Sequence, residues 1–206
     1  ELQGGDGGYV AISWTSPNAY FAATPEKMHR SSNYGSSFAT FWDKHIDDDD
    51  DGEPDNGGNF VTPFRLWEST TSKQDTTIEA VLPPSPNHNT NNVLYDTIVQ
   101  TLDNPNMIFV GLNDGVWMTK ESMNYTVVPE WFKVISCSGN VESIDVSSDG
   151  DAVFVGVGSG GNLYRVTGLQ NAIFGYRFNP NINLDGVSDG DSVFSLTAGF
   201  DRDAVG

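Results

Sequence analysis

The strongest constraint on this chain is that it repeats itself. The run SPNAYFAATPEKMHRSS, beginning at Ser16, aligns without a gap on NPNMIFVGLNDGVWMTK, beginning at Asn104, at an offset of 88 residues. That register sets Pro17 on Pro105, Asn18 on Asn106, Phe21 on Phe109 and His29 on Trp117. A second pair, IDVSSDGDAVF from Ile144 and LDGVSDGDSVF from Leu184, matches at an offset of 40 and sets Asp149 on Asp189, Gly150 on Gly190, Asp151 on Asp191 and Phe154 on Phe194. Each unit runs from a polar turn (PN or DGD) to an apolar strand (AYFAAT, MIFVGL, AVFVGV), then a turn bearing Gly or Lys, then a second strand (VWMT, NLYRV). Short apolar runs punctuated by Asn, Asp, Gly and Pro are strands joined by tight turns. The alignment predicts that Phe21, Phe109, Phe154 and Phe194 take equivalent buried positions on equivalent strands.

Periods of roughly 40 to 50 residues with several strands per unit are the signature of propeller blades, small sheets that bury their faces by stacking on one another. Composition agrees: 22 Gly, 12 Phe and 5 Trp, with no run rich in Ala, Leu, Glu and Lys, favour strands and turns over helices. The expected fold is therefore all-β, a β-propeller or part of one, built from four to five blade-like repeats of about 40–45 residues. Residues 1–206 are expected to form a single propeller-type domain or a fragment of a larger propeller. Within it, residues 43–59 read as an acidic insertion. Residues 59–92 read as an irregular blade or β insertion, with strands in NFVTPFRLWES and TTIEAVLPP followed by the Pro- and Asn-rich loop PPSPNHNTNN.

The stretch SSNYGSSF, Ser31 to Phe38, fits Ser-x-Asp-x-Gly-x-(Ser/Thr)-(Trp/Phe) with Asn33 in the Asp position, and so resembles the Asp-box of BNR-repeat propellers, the sialidase-like and sortilin-like families. Asn33 is suited to cap its own turn, Gly35 to take a positive φ, and Phe38 is expected to tuck its ring into the blade. At the aligned positions of the second unit Thr119, Glu121 and Met123 replace Ser31, Asn33 and Gly35, so the box has decayed there.

The run HIDDDDDGEPDNGGN, from His45, carries the second constellation. Asp47, Asp49, Asp51, Gly52 and Asp55 reproduce Asp-x-Asp-x-Asp-Gly-x-x-Asp, in which alternate carboxylates converge on one hard cation and Glu53 offers a backbone carbonyl. Five successive aspartates repel one another, and a bound Ca²⁺ would neutralise them. Position twelve is Gly58 and no helical pattern flanks the loop, so it is not an EF-hand; it resembles the calcium-bearing hairpin loops of integrin-type propellers. The expected ligands are Asp47, Asp49, Asp51, Glu53 and Asp55, and the expected cofactor is Ca²⁺. A solvated acidic loop is the alternative reading.

Charge and cysteine content narrow the function classes. Ten Lys and Arg against 28 Asp and Glu give a formal charge of −18, which repels phosphate backbones and anionic lipid headgroups. Cys137 is alone, so no intrachain disulfide is available, and with His29, His45 and His88 scattered there is no zinc-ligand spacing. No window reaches the roughly 18 consecutive apolar residues of a membrane span. The chain begins at Glu1 without a basic-then-apolar leader and reads as a processed product or an excerpt of a longer protein. The DGD phrases at Asp149–Asp151 and Asp189–Asp191 read as turns, and Asn124-Tyr125-Thr126 is a glycosylation sequon. GVGSGGN, from Gly156, lacks the Lys-Ser/Thr of a phosphate loop.

The sialidase resemblance implies an arginine cluster, a tyrosine nucleophile with a glutamate partner and an acid/base aspartate. The five arginines are Arg30, Arg65, Arg165, Arg177 and Arg202, and FRLW at Phe64 lacks the proline of the sialidase Phe-Arg-Ile-Pro signature. The expectation is a non-catalytic, extracellular, calcium-stabilised binding or scaffold module. Acidity, Asn/Gly richness and the calcium loop resemble secreted surface proteins of Gram-negative bacteria, which implies a protein partner such as an outer-membrane secretion component, as cargo or accessory. A sialidase-like or glycan-binding propeller and a sortilin-like receptor ectodomain are the alternatives.

Overall fold

The structure, a computed structural model, describes residues 8–25, 27–42, 60–69, 76–82, 96–102, 106–113, 115–127, 129, 131–158, 162–171 and 183–188. These residues are all-β, with one turn of 3-10 helix at Leu169–Asn171. Strands β1 (Val10–Ile12), β2 (Tyr20–Thr24), β3 (Lys27–Ser31) and β4 (Ala39–Trp42) form a first antiparallel sheet in chain order. Strand β5 (Phe64–Glu68) opens a second sheet, and the chain then makes a separate ribbon, β6 (Thr76–Leu82) with β7 (Asp96–Leu102). It returns as β8 (Asn106–Gly111), β9 (Gly115–Thr119) and β10 (Phe132–Ser136), giving the order β5-β8-β9-β10. The third sheet is β11 (Val141–Val146), β12 (Ala152–Val157), β13 (Asn162–Thr167) and β14 (Asn183–Ser188), again in chain order.

The offset of 88 is a structural register. Phe21 pairs with Arg30 and Ala22 with His29 in the first sheet; Phe109 pairs with Met118 and Val110 with Trp117 in the second. It extends to the leading strands, where Val10 and Ile12 oppose Ala22 and Tyr20 while Phe64 and Leu66 oppose Val110 and Ile108. The match at offset 40 does not carry the same meaning. Ile144 lies on β11, the first strand of its sheet, whereas Leu184 lies on β14, which closes that same sheet against β13 as its fourth strand. Phe194 falls outside the described residues.

The three sheets stack face to face, and β8 shows how. Its six residues are all buried, because a strand covered on both faces presents alternate side chains to two neighbours. Ile108 and Val110 join Phe21, Met28 and Phe41 of the first sheet in one core; Met107 and Phe109 join Val153, Val155 and Val166 of the third sheet in another. At about 1.5–3 kcal/mol for each large apolar side chain buried, these two cores hold the layers together.

Phe154 departs from its expected burial for a reason this stacking supplies. Phe21 and Phe109 point at the next sheet in the stack and are 1% and 0% exposed. Phe154 has the same pairing position, opposite Arg165, but the third sheet has no described layer on that side, and the ring is only partly buried. The described parts of the segment 59–92 fall in two places. Phe64–Glu68 hydrogen-bonds to β8 as the first strand of the second sheet, and Thr76–Leu82 belongs to the ribbon, so the four-stranded sheets among the described residues number three.

Candidate functional site

One end of the stack gathers the turns β1–β2, β3–β4, β9–β10 and β11–β12, since in an up-and-down sheet alternate turns fall on the same side. The box loop at residues 32–38 is held by hydrogen bonds of its own side chains and of Ser31. The Ser31 hydroxyl accepts from the amides of Asn33 (3.3 Å) and Gly35 (3.0 Å) and donates to Asn33 Oδ1 (2.8 Å). Asn33 Oδ1 also accepts from the Ser37 amide at 2.9 Å, and its Nδ2 donates to the Ser37 hydroxyl at 2.8 Å. Gly35 takes φ 78° and Tyr34 φ 60°. For Tyr34 that is a left-handed conformation costing an L-residue roughly 1–2 kcal/mol. The Asn33 and Gly35 roles expected from sequence are thus present. Phe38 does not supply the core ring: it is only partly buried, and Phe41, 2% exposed, packs edge-on against Phe21 and Trp131 instead.

The decayed box of the second sheet keeps two of these hydrogen bonds but not the left-handed turn, since Ser122 and Met123 lack the positive φ of Tyr34 and Gly35. Thr119 Oγ1 accepts from the Glu121 amide at 3.1 Å, as Ser31 does from Asn33, and the Asn124 amide donates to the Glu121 carbonyl at 3.1 Å, as Ser36 does to Asn33 at 3.2 Å. The Asn of each Pro-Asn turn ties its turn to this loop: Asn18 Nδ2 donates to the Ser32 carbonyl at 2.7 Å, and Asn106 Oδ1 accepts from the Ser122 hydroxyl. That tether explains why Asn recurs at offset 88.

Polar side chains pin the layers at this end. Arg30 reaches across to donate to the carbonyls of Ser122 (3.0 Å), Val127 (3.1 Å) and Glu121 (3.4 Å), its guanidinium lying between the rings of Phe41 and Tyr125. Tyr125 donates to the Ser31 carbonyl at 3.0 Å, and burial raises its pKa above the ordinary tyrosine value, partly offset by Arg30. Glu68, at the end of β5, accepts from Ser13 Oγ (2.5 Å), the Trp14 amide (2.9 Å) and Thr15 Oγ1. Next to it the Trp67 indole donates to the Ser148 carbonyl at 3.1 Å, so β5 grips the turns of both neighbouring sheets. Arg65 pairs with Asp145 at 2.9 Å.

Lys120, 6% exposed, donates to the Gln170 carbonyl at 2.7 Å. Burial lowers its pKa to about 7, against the attraction of Asp151. Asp151 in turn accepts from the amides of Gly168 (3.3 Å) and Gln170 (3.2 Å). The Asp149–Asp151 phrase is a turn as read from sequence, closed by the Gly150 amide on the Ser147 carbonyl at 2.9 Å with Gly150 at φ 74°. Within it the Ser147 hydroxyl, 2.5 Å from Asp149, holds that carboxyl below its ordinary pKa.

With the cations of these turns directed inward, the outward side chains are aromatic and polar. Trp14 is 59%, Tyr34 66% and Tyr125 37% exposed, interleaved with exposed Ser32, Ser36, Asn124 and Thr126. Rigid aromatics among Ser and Asn on a fixed frame suit recognition, because little side-chain entropy is lost on contact. Sequence reasoning missed Glu68 and Lys120, whose partners lie about fifty residues away along the chain.

The expected calcium ligands Asp47, Asp49, Asp51, Glu53 and Asp55 lie outside the described residues, in the connection between β4 and β5. Among the described residues no group of three or more His, Cys, Asp or Glu side chains could hold a metal, and no helix is long and apolar enough to cross a membrane. Comparison with protein-family models, with curated proteins and with solved structures finds no match to this chain.

Proposed function

We propose that this chain is an arc of a BNR-type β-propeller acting as a non-catalytic, extracellular binding module, with the turn end bearing Trp14, Tyr34 and Tyr125 as its recognition surface for a protein partner. The observation that carries this reading is the stack itself. Three four-stranded up-and-down sheets, the first two in identical register, lie face to face as successive blades would. The box loop supports the BNR assignment through the hydrogen bonds of Ser31 and Asn33.

What favours binding over sialidase-type hydrolysis is the use of the arginines. Arg30 is committed to three carbonyls and Arg65 to Asp145, in different sheets, while Arg165 stands exposed on β13. Convergent arginines for a substrate carboxylate would need to be free and close together. Calcium at Asp47, Asp49, Asp51, Asp55 and the Glu53 carbonyl belongs to the same proposal, as a brace on the link between the first two sheets.

The test is copurification of the full chain with its partner from the source organism, followed by quantitative binding of the identified protein. Replacing Trp14 and Tyr34 by alanine should weaken that binding at least tenfold while the far-ultraviolet spectrum stays unchanged. Unaltered binding would remove this end as the recognition surface.

A further inference from the structure

The stack has two unlike ends, and each sheet has two unlike faces. On one face, the pairing positions next to the central strand hold Val10 and Ile12 in the first sheet, Phe64 and Leu66 in the second, Ile144 and Val146 in the third. On the opposite face the shared position holds Phe21, Phe109 and Phe154. Both internal interfaces join unlike faces: the Phe21 face of the first sheet covers Phe64 and Leu66, and the Phe109 face of the second covers Ile144 and Val146. The stack is therefore head to tail, and among the described residues each end displays one half of an interface already used twice with no sheet against it.

The first of these halves is visible in the exposure of its residues. Val10 is 77% and Ile12 60% exposed, whereas Phe64, in the position equivalent to Val10, is 3% exposed. Between them Ala11, the small residue of β1, is the one turned inward against the core. At the other end Phe154 and Leu163 are partly buried and Arg165 exposed. Alternation that points the larger apolar side chains of β1 into water is reversed from what an end strand needs, and it fits a strand covered on both faces.

We propose that the Val10–Ile12 face is a docking surface for a second copy of this chain, which seats its Phe154 face there just as the Phe109 face seats on Ile144. This rests on the propeller reading above. The contact is heterologous, because face and counter-face differ, and such contacts close into rings when the rotation permits. Two copies supply six of the described four-stranded sheets, within the roughly four to eight of known propellers, and closing the ring uses both of these faces in each copy. The occupant is chosen by continuity: the Phe154 face is the described surface built on the same pairing pattern as the two that already fill this role.

Light scattering on the full chain tests this, at about 0.3 M salt so that the formal charge of −18 on each copy is screened. The wild type should show twice the monomer mass. Ile12→Asp, at an exposed position, and Phe154→Asp, at a partly buried one, should each weaken association about a hundredfold or more and leave the β-sheet circular dichroism intact. An equimolar mixture of the two variants should associate more tightly than either alone, through the one contact that joins the two intact halves, and more weakly than the wild type, because the second contact of the ring carries both aspartates. A wild-type chain that stays monomeric and folded overturns the second-copy proposal while leaving the three-sheet stack standing. A dimer insensitive to Phe154→Asp overturns it too, because the contact would then be head to head. A mixture that associates no more tightly than either variant alone likewise overturns it.

Discussion

Arg30, on the third strand of the first sheet, donates to the Ser122 carbonyl in the second sheet at 3.0 Å. The residue paired with the repeat's phenylalanine in one layer thus fastens the decayed box loop of the next. Loss of the full box pattern in the second sheet coincides with support from outside: Arg30 holds the loop from across the layer and Tyr125 of the loop reaches back to the Ser31 carbonyl, where Asn33 holds the first loop from within.

Arg30→Ala should therefore cost about 2–4 kcal/mol, because it removes the guanidinium donors to the buried Ser122 and part-buried Val127 carbonyls and a cation held between two rings. Arg30→Lys should recover less than half, since one ammonium cannot span the carbonyls of Glu121, Ser122 and Val127. Urea denaturation midpoints check both.

In the box loop, Gly35→Ala should destabilise by about 1–2 kcal/mol, the penalty of placing a Cβ at φ 78°. Tyr34→Gly should be neutral or stabilising, because glycine relieves the same strain at φ 60°. If Tyr34→Gly instead destabilises strongly, the ring has a structural role that its exposure does not suggest.

How far the sequence carried can be judged from these residues. The Phe21/Phe109 register, the box turn and the Asp149–Asp151 turn are local patterns, set by side-chain period and turn chemistry, and they were legible. The insertion of the β6–β7 ribbon between β5 and β8 was not, since Phe64–Glu68 finds its partner strand some forty residues on. Nor was the position of β14. LDGVS resembles IDVSS in composition, but strand pairing is decided by the available edge of β13, and a short apolar strand carries no mark of first or fourth place. The pins at Glu68, Lys120 and Arg30 were hidden for the same reason: each charge meets backbone or hydroxyl groups far away in the chain.

Lys120 should make stability depend on pH. Its folded-state pKa is lowered to about 7 from 10.5, so between those values the unfolded chain binds more protons than the folded one. Stability should rise with pH across that window as the cost of burying the charge is relieved, by up to a few kcal/mol. The difference between wild type and Lys120→Met isolates this residue: the variant should be less pH-dependent from about pH 7 to 10, and its advantage over wild type should shrink as pH rises.

Gly111 lies at the seam of the second and third sheets, where an added Cβ would come within 2.5 Å of Val141 Cγ1 and 3.0 Å of Pro63 Cγ. Gly111→Ala should cost about 1–3 kcal/mol by overpacking, read as a lowered melting temperature. The conservative control Ala23→Gly, in the other core, should lose about 1 kcal/mol by a different route, a deleted methyl and a freer backbone.

The central claim is that successive residues of one strand face different sheets. Methyl and aromatic nuclear Overhauser contacts along β8 measure that directly. Among contacts between sheets, the stack predicts that Ile108 and Val110 reach the first sheet, on the side of Phe21 and Met28, and that Met107 and Phe109 reach the third, on the side of Val155 and Val166. Contacts from Ile108 and Phe109 to the same sheet, or from neither to the third sheet, would contradict the face-to-face stack and the blade-like reading built on it.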